Sequence, residues 1–374
     1  MLDYFPKYFS NKAILLYAGA LVLVNILFFS NMLPFVWWLF GFIQIGGFFY
    51  FSSSLTKKWV NLSSHTFEKK LFFTSFILRS AWVVFSYFFY RGMTGLPFEF
   101  SVADSMLYHR IAESLSETGW ENYENVFFGM PVSDRGYGTY LGTVYMIFGN
   151  GVIIPRLLKA VLGSITCVLI YRLSNRNFGE ATGRMAAIFC MLMPNLILYA
   201  GIHMKEAEMV FLTVWFIERA DSLIRVHKYT FLSVTPTLMI GASLFFFRTV
   251  LGVTAMFSLF TALIFSSRRI MSMSNRLVIT GWVIVALVYF VGSNIASEVE
   301  EIWQSRVENQ DVALEYYATR EGGNKLAKYA SKSVFAPMIF VIPFPTIVNT
   351  PNQQNQQLIH GGNYVKNIMA FFAL

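Results

Sequence analysis

Long apolar stretches alternate with short polar segments along most of the chain, and their lengths predict membrane-spanning helices. A helix needs about 20 mostly apolar residues to cross the hydrocarbon core of a bilayer. Stretches of roughly this length predict helices at about 13–30, 33–53, 70–90, 152–171, 183–202, 207–223, 229–247, 249–265 and 276–295. The pattern therefore predicts an all-α polytopic membrane protein, with the first apolar stretch retained as a helix.

Two further apolar stretches lie near the end of the sequence. One covers 334–349, and the pattern leaves open whether it spans the bilayer or lies flat. The other starts near 366 and stops at Leu374, which is too short to span. We expect either that the chain is truncated there or that it ends in a half-buried helix. No internal repeat is evident, so 1–374 is interpreted as one transmembrane domain.

Composition and charge agree with a membrane protein and argue against a nucleic-acid partner. Apolar residues make up 55% of the 374 residues and charged residues only 13%, against about 25% in soluble domains. The formal net charge is +8, but the basic residues fall in short loops between apolar stretches, as expected for cytoplasmic loops. The basic loops near 54–70, 172–184, 219–228 and 268–276 can all be cytoplasmic only if 140–149 lies flat on the membrane.

This topology leaves two long loops on the outer side of a plasma (inner) membrane. The first, 91–151, contains the predicted interfacial helices, and its part 91–135 holds seven acidic and three basic residues. The second, 296–333, holds seven acidic and five basic residues. Long loops in a compact protein are usually functional or disordered, so we expect the active site to face outward.

The segment "SVADSMLYHRIAESLSETGW" (101–120) predicts an amphipathic helix at the start of the first loop. Asp104 and Tyr108 are four residues apart and share a face of this helix. Its first turn would present a carboxylate just outside the membrane. The structural alternative is that Asp104 only caps the helix, since Asp is a common capping residue.

The order of segments around Asp104 resembles that of GT-C glycosyltransferases, which include protein O-mannosyltransferases and the aminoarabinose transferase. A spanning helix is followed by Asp104, Tyr108 and "RIAESL", then by the Gly- and Tyr-rich "RGYGTYLGTVYMIFGNG" and two further spans. The resemblance covers roughly 70–250. It implies a GT-C-like bundle of about 10–11 transmembrane helices with juxtamembrane helices in the first outer loop.

The same resemblance implies a polyprenyl-phosphate-linked sugar as donor and a glycan, lipid or protein as acceptor, with membrane lipids around the helices. In those families the first-loop Asp, here Asp104, acts as the base on the acceptor or helps to bind it. A divalent cation takes part in some of them. In "HMKEAEMVF" this chain has Lys205 and Glu206 where the relatives more often have an Asp-containing pattern. Glu206 is therefore expected to support the site, and the metal is left open.

Cations for the donor phosphate are available at several positions. Arg248 lies between two apolar runs at the outer end of a helical hairpin, and Arg79 lies within a predicted span, where a charge costs a few kcal/mol. The alternatives are snorkelling for Arg248 and a packing ion pair for Arg79. Lys205 could contact phosphate or belong to a solvated helix end. Asp134 and Arg135 could bind sugar or phosphate, or form a loop ion pair.

Two other functions remain compatible with the sequence. A polysaccharide polymerase or ligase would use the loop 296–333 with Arg306 and Arg320. A lipid-glycan flippase or export subunit would need charged residues along a path through the bilayer, and apart from Arg79 the predicted helices carry almost none. The chain has neither a Walker motif nor a Rossmann glycine pattern, which argues against direct use of ATP or a nucleotide sugar.

Overall fold

The computed structural model describes residues 5–27, 35–99, 103–225 and 231–265, together with residues 281, 364–366, 368, 369 and 372. All regular elements within these ranges are helical, in agreement with the predicted all-α class. The α-helices of this part of the chain are α1 (Lys7–Leu27), α2 (Phe35–Trp59), α3 (Ser64–Thr94), α4 (Ala103–Thr118), α5 (Tyr123–Val126), α6 (Val132–Phe148), α7 (Ile153–Phe178), α8 (Glu180–Leu192), α9 (Pro194–Leu198), α10 (Glu206–Arg225), α11 (Phe231–Phe247) and α12 (Thr249–Phe265). Short 3₁₀ turns cover Trp120–Asn122 and Tyr199–Gly201.

Two of the described helices, α3 and α7, are long and apolar enough to cross a membrane. A third span is present if α8 and the segment Pro194–Gly201 are counted together, although they meet at an angle of 52°. The predicted helices at 276–295 and 334–349 and the loop 296–333 lie outside the described residues. Near the end of the chain, Tyr364, Val365 and Ile368 pack against α1 and α2.

The single helix predicted at 183–202 is broken in the structure, and Pro194 is the reason. Proline has no backbone N–H, so the carbonyl of Cys190 loses the hydrogen-bond donor that residue 194 would otherwise supply. Helix α8 accordingly ends at Leu192, and α9 starts at Pro194 in a new direction. The carbonyl groups at the end of α8 therefore need partners from elsewhere.

Arg79 of α3 supplies those partners. Its side chain is 1% exposed, and its guanidinium donates to the carbonyl oxygens of Cys190 at 3.3 Å and Met191 at 3.4 Å. It also bonds Ser75 and contacts the Cys167 sulfur at 3.7 Å. Arg79 thus supplies hydrogen-bond donors to the carbonyl groups at the end of α8 and fixes α3 against it. Arg79 therefore has a packing role, with carbonyl groups as partners in place of the ion pair considered from the sequence.

Helices α4 and α6 pack side by side in the same direction, which brings their N-termini together. Tyr108 of α4 lies beside Asp134 of α6. Two turns further along the same face of α4, Leu115 packs against Gly142 of α6. A Cβ atom at Gly142 would lie 2.6 Å from a terminal methyl of Leu115, so a larger residue there would force the Leu115 side chain to shift. Helix α6 starts at Val132, eight residues before the apolar piece 140–149 from which it was predicted.

Basic side chains join the helices at the C-terminal end of α7. Arg172 of α7 forms a two-point contact with Glu68 of α3, at 2.9 and 2.7 Å. Arg176 pairs with Glu218 of α10 at 2.7 Å. The described residues of the predicted cytoplasmic loops 54–70, 172–184 and 219–228 therefore gather at one end of the bundle, away from the N-termini of α4 and α6, and 268–276 lies outside the described residues.

We expect Arg79→Met to lower the free energy of unfolding by about 2–5 kcal/mol, because it leaves buried carbonyl acceptors without a donor. Arg91→Met provides a matched control, since Arg91 is exposed on the same helix, and it should change stability by no more than about 0.5 kcal/mol. Unfolding of the purified protein in detergent measures both values. Equal losses for the two variants would contradict the role assigned to Arg79.

Candidate functional site at the helix N-termini

Tyr108 of α4 and Lys205 before α10 both bond the carboxylate of Asp134 in α6. We call these three residues the Asp134 cluster. The Tyr108 hydroxyl donates to Asp134 Oδ1 at 2.8 Å. The Lys205 ammonium bonds the same oxygen and also donates to the Ser133 carbonyl at 3.2 Å. Lys205 Nζ lies 5.8 Å from the centre of the Tyr108 ring. The cluster joins α4, α6 and the turn before α10.

Negative charge surrounds the phenol of Tyr108. Burial, the hydrogen bond to Asp134 and the charges of Asp134, Asp104 and Glu206 raise the pKa of Tyr108 well above its ordinary value. The phenol therefore stays a neutral hydrogen-bond donor at any physiological pH. Asp104 lies one turn before Tyr108 on α4, and Glu206 follows Lys205 along the chain, so both predicted carboxylates lie near this ring.

Arg248 reaches the same region from the junction of α11 and α12. A Cβ atom on Gly136 would lie 2.5 Å from the Phe246 carbonyl oxygen, so the backbones of α6 and α11 are in direct contact. Phe247 packs against the aromatic group that contains Tyr108 and Tyr137. Arg248 is the next residue along the chain, and its side chain is exposed.

The N-termini of α4, α6, α10 and α12 therefore lie close together. Each helix N-terminus carries a partial positive charge from unpaired backbone N–H groups. Lys205 and Arg248 carry two positive charges, and Asp104, Asp134 and Glu206 carry three negative ones, one of which already pairs with Lys205. A phosphate group would therefore have to bind at the helix N-termini and Arg248, away from the carboxylates.

Asp104 and Glu206 differ in their surroundings. Asp104 is exposed in the first turn of α4, and its carboxylate forms no hydrogen bond or ion pair with the part of the chain that the structure describes. Glu206 is the first residue of α10, and its Oε2 atom is buried without a partner among the described residues. Asp104 is thus accessible to a ligand or to water, whereas Glu206 is half-buried and its Oε2 atom is not accessible.

Two of the predicted phosphate or sugar ligands are occupied elsewhere. Arg79 is engaged with the end of α8. Arg135 follows Asp134 in α6, but its guanidinium donates to the Met130 carbonyl at 3.2 Å and to Glu124 at 3.4 Å. The structure brings together Asp104, Tyr108, Asp134, Lys205 and Glu206, places Arg248 at the neighbouring junction of α11 and α12, and leaves Arg79 and Arg135 outside this group.

A buried lysine that sequence reasoning did not assign to the site supports the turn carrying Lys205. Lys159 of α7 is fully buried, and its ammonium donates to the carbonyl of Ile202 at 3.0 Å and to that of Met204. Glu208 Oε2 lies 3.7 Å from the same ammonium. Lys159 therefore holds the turn on both sides of His203.

Arg156, one turn before Lys159, is a second residue of this kind. It is fully buried and donates to the Pro97 carbonyl at 2.7 Å, which ties the start of α7 to the end of the segment after α3. A signal for both residues was present in the sequence. Two basic residues three apart on the predicted outer side of a span contradict the positive-inside pattern, and such exceptions usually have a specific partner.

The described residues contain no group of three or more His, Cys, Asp or Glu side chains arranged to hold a metal ion. Cys167 and Cys190 are free and buried, with their sulfur atoms 3.6 Å apart. The divalent cation that the sequence leaves open is therefore not assigned to particular residues.

Double-mutant cycles should show stronger coupling for Lys205 and Asp134 than for Arg135 and Glu124. The first pair is 15% and 30% exposed, whereas Glu124 is 81% exposed. We expect a coupling energy of about 1–3 kcal/mol for Lys205→Met with Asp134→Asn, and of about 0–1 kcal/mol for the exposed pair. Unfolding in detergent measures both cycles, and equal coupling would show that the Asp134 cluster is only a surface contact.

Comparisons with protein-family models, with curated proteins and with solved structures found no match for this chain. A function can therefore be argued only from the residues and their arrangement.

Proposed function

We propose that the protein is a GT-C-like membrane glycosyltransferase. It moves a sugar from a polyprenyl-phosphate donor to a glycan, lipid or protein acceptor on the extracytoplasmic face. In this proposal α4 and α6 are the juxtamembrane helices of the first outer loop, and the whole chain contains about 10–11 spans. The observation that carries the proposal is an exposed carboxylate, Asp104, beside the Asp134 cluster and Arg248.

The arrangement suits the chemistry of glycosyl transfer. The acceptor hydroxyl attacks the anomeric carbon, its proton passes to Asp104, and the bond from the anomeric carbon to the phosphate oxygen breaks. The electron pair of that bond stays on the polyprenyl phosphate. Lys205, Arg248 and the neighbouring helix N-termini stabilise this negative charge. Glu206 supports the site by orienting the turn and the ammonium of Lys205.

The location also suits a lipid-linked donor. Helix α3 precedes α4 and helix α7 follows α6, and both are apolar enough to cross a membrane. A site between their outer ends is at the depth where a polyprenyl chain presents its head group. The same position is accessible to an acceptor from the water side, which fits the exposure of Asp104.

A transporter of lipid-linked glycans is the alternative from another class, and one observation favours it. A cavity between α3, α7, α9 and α10 is lined by Arg79, Lys159, Thr166 and Tyr199. Buried cations on such a cavity are what a path for an anionic head group would require. A polymerase or ligase using the loop 296–333 is a second enzymatic alternative, and that loop lies outside the described residues.

Asp104→Asn tests the proposal most directly. The amide preserves the shape of the side chain but cannot accept the proton. We expect purified protein with radiolabelled polyprenyl-phosphate sugar to lose transfer rate by a factor of about 10²–10⁴. Glu117→Gln is the matched control, because Glu117 is an exposed carboxylate on the same helix. Parental transfer by Asp104→Asn would exclude Asp104 as the base, and translocation without transfer would favour the transporter.

Arg248→Lys tests the donor site separately. Lysine keeps the charge but loses the planar two-point contact with phosphate. We expect the KM for the donor to rise by about tenfold, which corresponds to the loss of one charge-assisted contact, with little change in thermal stability. Arg110→Lys is the control, since Arg110 is exposed on α4. An unchanged donor KM would mean that Arg248 only contacts lipid head groups.

A further inference from the structure

A chain of polar contacts, an ion-pair contact followed by two hydrogen bonds, runs from the surface of α4 into the interior beside the Asp134 cluster. Glu113 Oε1 lies 3.1 Å from His109 Nε2, and His109 Nδ1 lies 2.7 Å from the Tyr145 hydroxyl. The same hydroxyl lies 3.1 Å from His203 Nε2. The exposed fraction falls from 37% for the Glu113 side chain to 0% for His203. None of these residues is used in the proposed transfer step.

The chemistry of the partners sets the direction of the hydrogen bonds in this chain. The Glu113 carboxylate can only accept and lies 3.1 Å from His109 Nε2, so it favours the proton on that nitrogen. In a neutral imidazole the other nitrogen must then accept, and Tyr145 donates to His109 Nδ1. The Tyr145 oxygen in turn accepts from His203 Nε2–H. This leaves His203 Nδ1 with a free lone pair, and that atom is buried without a partner among the described residues.

An added proton can cross this chain while the hydrogen bonds between its members are kept, each with its direction reversed. When His203 Nδ1 gains a proton, its Nε2 proton moves to the Tyr145 oxygen and the Tyr145 proton moves to His109 Nδ1. Tyr145 then donates back to His203 Nε2, and His109 becomes an imidazolium beside the Glu113 carboxylate. We propose that His203, Tyr145 and His109 form a proton relay that carries a proton from the interior to Glu113 at the surface.

The charges around the two imidazoles favour this direction. The titratable and charged side chains on the surrounding elements are Glu99, Glu113, Tyr137, Tyr145, Arg156, Lys159 and Glu208. Burial and the nearby cations Lys159 and Arg156 lower the pKa of His203 well below its ordinary value. Burial also lowers the pKa of His109, but the Glu113 carboxylate opposes that effect. The excess proton is therefore more stable on His109.

The inner end of the relay lies next to the proposed transfer site. The Tyr137 ring contacts both His203 and Tyr108, with ring centres 6.3 and 4.9 Å apart. His203 is two residues before Lys205. The inference rests on the proposed function in one respect: glycosyl transfer releases one acceptor proton per turnover, and bound lipid and acceptor would cover Asp104. The relay gives a route to solvent to a proton that is delivered to His203 Nδ1 from the side of the transfer site.

Nitrogen-15 NMR of histidine-labelled protein tests the relay without any assay of activity. Spectra of His109→Gln and His203→Gln variants assign the signals of the two residues. On acidification, His109 should become an imidazolium while His203 changes from the Nε2–H to the Nδ1–H tautomer and stays neutral. In Tyr145→Phe, which keeps the ring, His203 should no longer change tautomer when His109 titrates. A His203 that keeps one tautomer in the parent protein, or becomes an imidazolium, would overturn the relay.

Transfer kinetics supply the second measurement. Tyr145→Phe should lower kcat by a factor of about 10–100 and increase the solvent deuterium isotope effect, with both KM values unchanged. Tyr140→Phe on the same helix is the control and should behave like the parent. If the tautomer change is seen but no sugar is transferred by the parent, the relay stands and the proposed function fails. If transfer occurs and Tyr145→Phe keeps the parental kcat, the relay takes no part in the reaction and the inference is wrong.

Discussion

The carboxylate of Asp134 is the interaction on which the rest of the site depends. It accepts a hydrogen bond from Tyr108 of α4 and binds the ammonium of Lys205 before α10. A partly buried carboxylate is costly unless it is paired and hydrogen-bonded, and here a phenol and a cation from two other elements meet that requirement. Removing the carboxylate would leave Lys205 without its charge partner, so the three elements are mutually constrained. The positions of Asp104 at the start of α4 and of Glu206 at the start of α10 follow from this constraint.

The two ends of α7 solve the same electrostatic problem in different ways. At one end, Arg172 and Arg176 pair with acidic residues on α3 and α10, where partial exposure keeps the cost of each charge low. At the other end, Arg156 and Lys159 are fully buried and take backbone carbonyls as their main partners. Lys159 also has the Glu208 carboxylate at 3.7 Å. The buried end is therefore held mainly by oriented carbonyl dipoles, whereas the exposed end is held by ion pairs.

Local pattern was sufficient to predict most helices, because an apolar run of fixed length has few alternatives in a membrane protein. The prediction at 249–265 coincides with α12, and that at 207–223 lies within α10. The local pattern was insufficient where a residue acts through a partner that is distant in the sequence. Pro194 is visible in the sequence, yet nothing local shows that Arg79, 111 residues from Cys190, satisfies the carbonyl that the proline leaves free. The pairing of Tyr108 with Asp134 likewise depends on α4 and α6 running in the same direction, which the pattern of either helix does not specify.

Burial separates the residues of this region into two groups with different consequences. His203, Lys159 and Arg156 are completely enclosed, so their positions are set by neighbours and cannot adapt to a ligand. Asp104 and Arg248 are exposed, so they can change partners when a ligand arrives. Exposed charges alone would be too mobile and too well screened to orient a reaction, whereas enclosed charges alone could not reach a substrate. The Asp134 cluster is partly buried and hydrogen-bonded, and it lies between the two groups. It connects the enclosed residues, whose positions are fixed, to the surface where a ligand would bind.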